Sequence, residues 1–165
     1  CHLIDDISML QSIEVLTVNN CPNITNIQPL QSVQECTFTH CLGIQSIPTL
    51  KNVKTLDVSY CKNLQEIEDL PIIERLTVNY CSQINKIGKM SNIREVSMIG
   101  CPTLPLQQTL LQLACSPLET ITVCKCQGEA LQASVRAHEE ERINVDEEDK
   151  EEEKEEDVVL KNMMK

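Results

Sequence analysis

The stretch that decides the fold is Ile73-Glu-Arg-Leu76-Thr-Val78-Asn-Tyr80-Cys81-Ser-Gln-Ile84-Asn-Lys-Ile87-Gly-Lys-Met90. Its apolar residues are spaced by 3, 2, 3, 3, 3 and 3 positions, and a further step of 3 reaches Ile93, where the pattern restarts. Leu76 and Val78 alternate with Thr77 and Asn79, the period of a strand with one buried face. Past Cys81 the apolar residues recur at every third position, which suits an extended or tight 3₁₀-like return and not an amphipathic α-helix. Upstream the same pattern reads Val53, Leu56, Val58, Cys61, then Val33, Cys36, Phe38, Cys41, then Ile13, Leu16, Val18, Cys21, a period of 20 residues without a slip. One such coil buries too little to fold alone. The coils must stack, and their strands join into one parallel sheet.

Four regular coils occupy 13–32, 33–52, 53–72 and 73–92. Pro22, Pro29, Pro48 and Pro71 fall outside the expected strands, as ladder hydrogen bonding requires. The coil from Ile93 runs 25 residues to Leu118, and its extra length, Leu106-Gln-Gln-Thr-Leu110-Leu111-Gln-Leu113-Ala114, reads as a short helix between Pro105 and Pro117. Glu129–Arg142 is helix-like, with Leu131 and Val135 spaced to cover the last coil. Residues 139–157 then hold 13 Asp or Glu out of 19. Such a run self-repels and is expected to be disordered or loosely helical. The expected architecture is therefore an α/β-type solenoid. It has a mostly irregular or 3₁₀ return side, one convex helix near 105–114, a capping helix at 129–142 and an acidic tail at 143–165. The frame is already running at Cys1, so the reading for 1–128 is a repeat domain cut within a coil.

The strand spacing resembles that of the leucine-rich-repeat family, L-x-x-L-x-L-x-x-N/C, over residues 1 to 126. The resemblance implies a horseshoe with a concave parallel sheet. Cys21-Pro-Asn-Ile24 and Cys61-Lys-Asn-Leu64 are similar to the cysteine-containing subclass, which includes substrate receptors of ubiquitin ligases. Coils of that subclass are usually longer and carry a helix, unlike these. Short coils are similar also to repeats of protist proteins described as adenylate-cyclase regulators and of plant immune receptors. The resemblance implies protein binding on the concave face, either as a free scaffold or as the recognition or regulatory module of a larger enzyme-linked protein.

Composition narrows the chemistry. Aromatics are 2% and Trp is missing, so the core is aliphatic, as a narrow solenoid needs. Six of the ten cysteines (Cys1, Cys21, Cys41, Cys61, Cys81 and Cys101) fall on the period. Stacking places them in single file about 5 Å apart, which suits neither a disulfide torsion nor a tetrahedral zinc site. They read as small buried thiols in a reducing compartment, cytoplasmic or nuclear. Cys115, Cys124 and Cys126 form the one irregular group, a weak metal or disulfide motif because no histidine lies close in sequence. No run of apolar residues is long enough to span a membrane. Most of the net charge of −11 lies beyond residue 127, and the repeats are not basic, which disfavours nucleic acid.

Motifs for phosphate cradling, nucleophilic catalysis or zinc hydrolysis are missing, and His2, His40 and His138 lie far apart in the chain. The expectation is a non-enzyme without cofactor, metal or small-molecule substrate, whose partner is a protein. The candidate contact residues lie on the outward strand face. The two tyrosines, Tyr60 and Tyr80, share one slot of adjacent coils beside His40. Rigid amphipathic aromatics on an exposed sheet are frequent interface anchors, and a ladder of aromatics packed on each other is the competing reading. Asp57, Arg75 and Glu95 supply the polar surround.

Overall fold

The computed structural model describes residues 4–10, 12–124 and 157–161. In chain order the elements are β1 (Val15–Asn19), β2 (Glu35–Thr39), β3 (Ser46–Ile47), β4 (Thr55–Asp57) and β5 (Glu66–Ile67). There follow β6 (Arg75–Thr77), β7 (Lys86–Ile87), β8 (Glu95–Ser97), α1 (Leu106–Leu113), β9 (Thr120–Cys124) and β10 (Asp157–Lys161). A seven-stranded sheet has the order β1-β2-β4-β6-β8-β9-β10, and a three-stranded sheet has the order β3-β5-β7. The described residues form a parallel-strand β-solenoid with little helix.

The register repeats the sequence period. Leu16, Cys36, Leu56, Leu76, Val96 and Ile121 lie side by side across the large sheet, all parallel. These residues and their partners two positions on, Val18, Phe38, Val58, Val78, Met98 and Val123, are buried. So are the third-position residues of the return, such as Ile24, Ile27, Leu30, Ile44, Ile47 and Leu50. Both series meet in one core with Cys21, Cys41, Cys61, Cys81 and Cys101. The longer coil places α1 over this core through Leu113, within the span that its spacing predicted.

The return side is mostly irregular, as expected, but it also carries three two-residue strands, β3, β5 and β7, which pair as a second parallel sheet. Coils offset by 20 residues bring extended backbone into register there, with Glu68 N–H donating to Ile47 O at 2.9 Å and Gly88 N–H to Ile67 O at 2.7 Å. A spacing of three in an extended return is compatible with strand pairing whenever the next coil supplies the partner. One expectation requires correction: the acidic tail, expected to be disordered or loosely helical, contains at Asp157–Lys161 the strand β10, which adds antiparallel to β9. The expected capping helix at 129–142 and residues 143–156 of the tail lie outside the described residues.

Among the described residues no helix is long and apolar enough to cross a membrane. Close coil contact is visible at Gly43. A Cβ there would stand 2.3 Å from Pro22 O and 2.5 Å from Ile24 O, so only glycine lets these backbones meet.

Candidate functional site

The slot between each strand and its cysteine has an unusual backbone. Asn20, His40, Tyr60, Tyr80 and Gly100 all have positive φ, from 54° to 65°. This left-handed turn redirects the chain so that the cysteine after it points into the core. The slot's amide meanwhile stays in the ladder: Asn20 N–H donates to Thr39 O at 2.8 Å, His40 N–H to Ser59 O at 3.2 Å, Tyr60 N–H to Asn79 O and Tyr80 N–H to Ile99 O at 2.7 Å each. Asn and Gly adopt this conformation readily, whereas bulky side chains are strained in it by about 1–2 kcal/mol.

Three strained positions carry rings. His40 and Tyr60 stack with centroids 4.6 Å apart and planes 7° from parallel; Tyr60 and Tyr80 stack at 4.9 Å and 15°. These separations match the spacing of paired strands, so the solenoid sets the stack. The ladder ends at Gly100, where a Cβ would lie 2.7 Å from Tyr80 Cδ1. Glycine therefore seats the last ring against backbone. Both faces of Tyr60 are taken by its neighbours, yet the residue remains 38% exposed. Tyr60, stacked on both faces, therefore offers solvent its ring edge and hydroxyl.

The charged residues divide into two behaviours. Arg75 Nε lies 3.4 Å from Glu95 Oε1, both side chains more than half exposed, at the entry end of β6 and β8. The start of β6 is five residues from Tyr80, roughly 15 Å along the strand. Asp57 is turned inward to its own chain: its Oδ1 accepts from Ser59 N–H at 2.9 Å and Ser59 Oγ–H at 2.6 Å. Ser59 is itself buried. The structure thus joins His40, Tyr60 and Tyr80 in one ladder and Arg75 with Glu95 in another pair, and gives Asp57 a turn-forming task.

Some residues had no assigned role in the sequence. Asn79 Oδ1 accepts from Ile99 N–H and Ser97 Oγ–H, each at 2.9 Å, tying the β6 exit to the next coil. On the return side Asn52 Nδ2 donates to Gln31 O, Asn63 Nδ2 to Leu42 O at 2.8 Å and Asn92 Nδ2 to Pro71 O at 2.8 Å. The offset is 21 residues each time, one coil plus one, which a search for self-repetition at single positions does not reveal.

In the cysteine file Cys21, Cys41, Cys61, Cys81 and Cys101 are buried and free of disulfides. Cys61 Sγ–H donates to Phe38 O at 3.2 Å, Cys81 to Val58 O at 3.1 Å and Cys101 to Val78 O at 2.8 Å, so each thiol caps the carbonyl of an inward strand residue one coil back. Burial pushes the Cys36, Cys61 and Cys81 thiols up to about 12. Burial raises Cys41 as well. These are packing groups and not nucleophiles. Cys115 is free and exposed. Cys1, Cys126 and the side chain of Cys124 lie outside the described residues, and among the described residues no cluster could hold a metal ion. Comparison with family models, with curated proteins and with solved structures returned no match.

Proposed function

We propose that the chain is a non-catalytic scaffold of leucine-rich-repeat type that binds a partner protein on the outward face of its seven-stranded sheet. The His40–Tyr60–Tyr80 ladder forms the centre of that contact and the Arg75–Glu95 pair its polar margin. The observation that carries the reading is the ladder itself. Three aromatic side chains occupy a backbone conformation that Asn and Gly fill more easily, as they do at Asn20 and Gly100. Mutual stacking contributes about 0.5–1.5 kcal/mol, which offsets only part of the strain. Folding alone does not call for rings at these positions, and contact with a partner supplies a reason for them.

The slot also supplies a clean test. Tyr60→Asn and Tyr80→Asn introduce a residue already used in the same turn, so the double variant should keep the melting temperature within a few degrees. Partners captured by the wild-type chain from cell lysate, identified by quantitative mass spectrometry, should be lost by the double variant. With a purified partner, each change should weaken binding by about 2 kcal/mol, roughly thirtyfold. An unchanged set of partners at equal stability would mean that the ladder serves the fold and not recognition.

A further inference from the structure

The large sheet is parallel from β1 to β9, and its last strand runs the other way. In the register, β9 meets β8 only through Thr120, Ile121 and Thr122, while Val123 and Cys124 have partners on β10 alone. β9 is accordingly five residues long where β4, β6 and β8 have three. Its extra length is made by the strand added to it. Val158 and Leu160 stand at register positions opposite Val123 and Ile121, two residues that are themselves buried. The added strand, Asp157-Val-Val-Leu-Lys161, is a short apolar run closed by opposite charges.

An exposed strand edge is a template for any extended chain of suitable pattern, and antiparallel addition needs only backbone N–H and C=O groups plus apolar residues at alternate positions. An antiparallel pair can be joined by a turn of two residues, but here residues 125–156 separate the strands in sequence. Such a connection does not fix the pairing as a tight turn would.

We propose that the β9 edge is a peptide-docking edge whose tethered occupant is the chain's own segment 157–161. A partner strand with a like apolar run flanked by charges exchanges for it. This assigns the C-terminal segment a regulatory role: it covers the edge until a competing strand displaces it. The site is distinct from the aromatic ladder and does not depend on the function of that ladder.

The test uses the full chain, as wild type and as a Val158→Pro, Val159→Pro double variant that removes β10 pairing. The probe is a fluorescent peptide with the sequence of residues 155–163. By anisotropy it should bind the variant at least tenfold more tightly than wild type, and a peptide carrying the same two prolines should bind neither. Amides of Thr120–Cys124 should exchange hydrogen faster in the variant, with those of Thr55–Asp57 unchanged. Equal binding to both chains, binding to neither, or unaltered exchange at Thr120–Cys124 would overturn the proposal. If exchange at Thr55–Asp57 also rises, the prolines have loosened the solenoid. Wild type is then treated with excess photoreactive peptide: crosslinks at residues 120–124 support the site, and crosslinks confined elsewhere, or none, reject it.

Discussion

The cysteine file and the aromatic ladder are neighbours in sequence, Cys41 beside His40, Cys61 beside Tyr60, Cys81 beside Tyr80, yet they obey different rules. Cys41, Cys61, Cys81 and Cys101 share one environment: a small buried space and a carbonyl one coil back that a thiol can reach. The preceding position holds Asn, His, Tyr, Tyr and Gly in turn, although its backbone conformation barely changes. There the fold demands a left-handed turn and leaves the side chain to other requirements. Identity at the first position reflects packing. Variation at the second leaves room for recognition.

The sharpest way to break this contrast is at the invariant position. Cys61→Leu overfills the space and strips Phe38 O of its thiol donor. The expected loss is about 2–3 kcal/mol in a urea titration. Cys61→Ser keeps a donor and should lose less. A loss for Cys61→Ser as large as that for Cys61→Leu would show that a donor of near-native volume does not rescue the site, against the thiol–carbonyl description.

Alkali offers a second route. Because burial raises the Cys36, Cys61 and Cys81 thiols from 9.0 to about 12, the folded state holds protons that the unfolded state has released. Their contribution is fully present below pH 9 and is lost progressively as pH rises from about 9 to 12. The melting temperature should therefore fall steadily over that range, and Cys36→Val should make the fall less steep. A melting temperature independent of pH from 9 to 11 would contradict the buried-thiol description.

At the variable position the expected effects are smaller and more local. Gly100→Ala places a Cβ at positive φ and within 2.7 Å of the Tyr80 ring. It should lower stability by about 1–2 kcal/mol. Tyr80→Asn removes the ring, so the double variant should be more stable than the sum of the two changes implies. Strict additivity, measured by denaturation, would show that the ring does not rest on Gly100. The smallest effect belongs to Arg75→Glu. Its ion pair with Glu95 is more than half exposed, so the change should shift stability by less than about 1 kcal/mol. Its larger effect should be on the salt dependence of partner association, read by stopped flow.

Much of the core was legible because burial imposes one residue class at each inward position. Leu56, Val58, Cys61, Leu64, Ile67 and Leu70 could be assigned to the interior from spacing alone, and all are buried. The adjacency of Tyr60 and Tyr80 followed from the same period, since equivalent positions of successive coils must be neighbours. Less was legible where backbone hydrogen bonds decide. A spacing of three at Ile44, Ile47 and Leu50 fits several extended conformations, and only the presence of the next coil selects strand pairing for β3. Asp57 was read as an exposed charge, but its bonds to Ser59 need only local backbone geometry that composition does not record.

The sequence by itself determined that this protein is a stack of 20-residue coils with a parallel sheet, an aliphatic core and a file of cysteines, because a strict period of buried positions has few physical solutions. Tertiary structure alone decided the left-handed turn shared by Asn20, His40, Tyr60, Tyr80 and Gly100, the face-to-face stacking that this turn allows, and the antiparallel strand β10 on the last edge. These depend on backbone torsions and on pairing between segments distant in the chain. Side-chain type constrains such features only weakly until the coils are in contact.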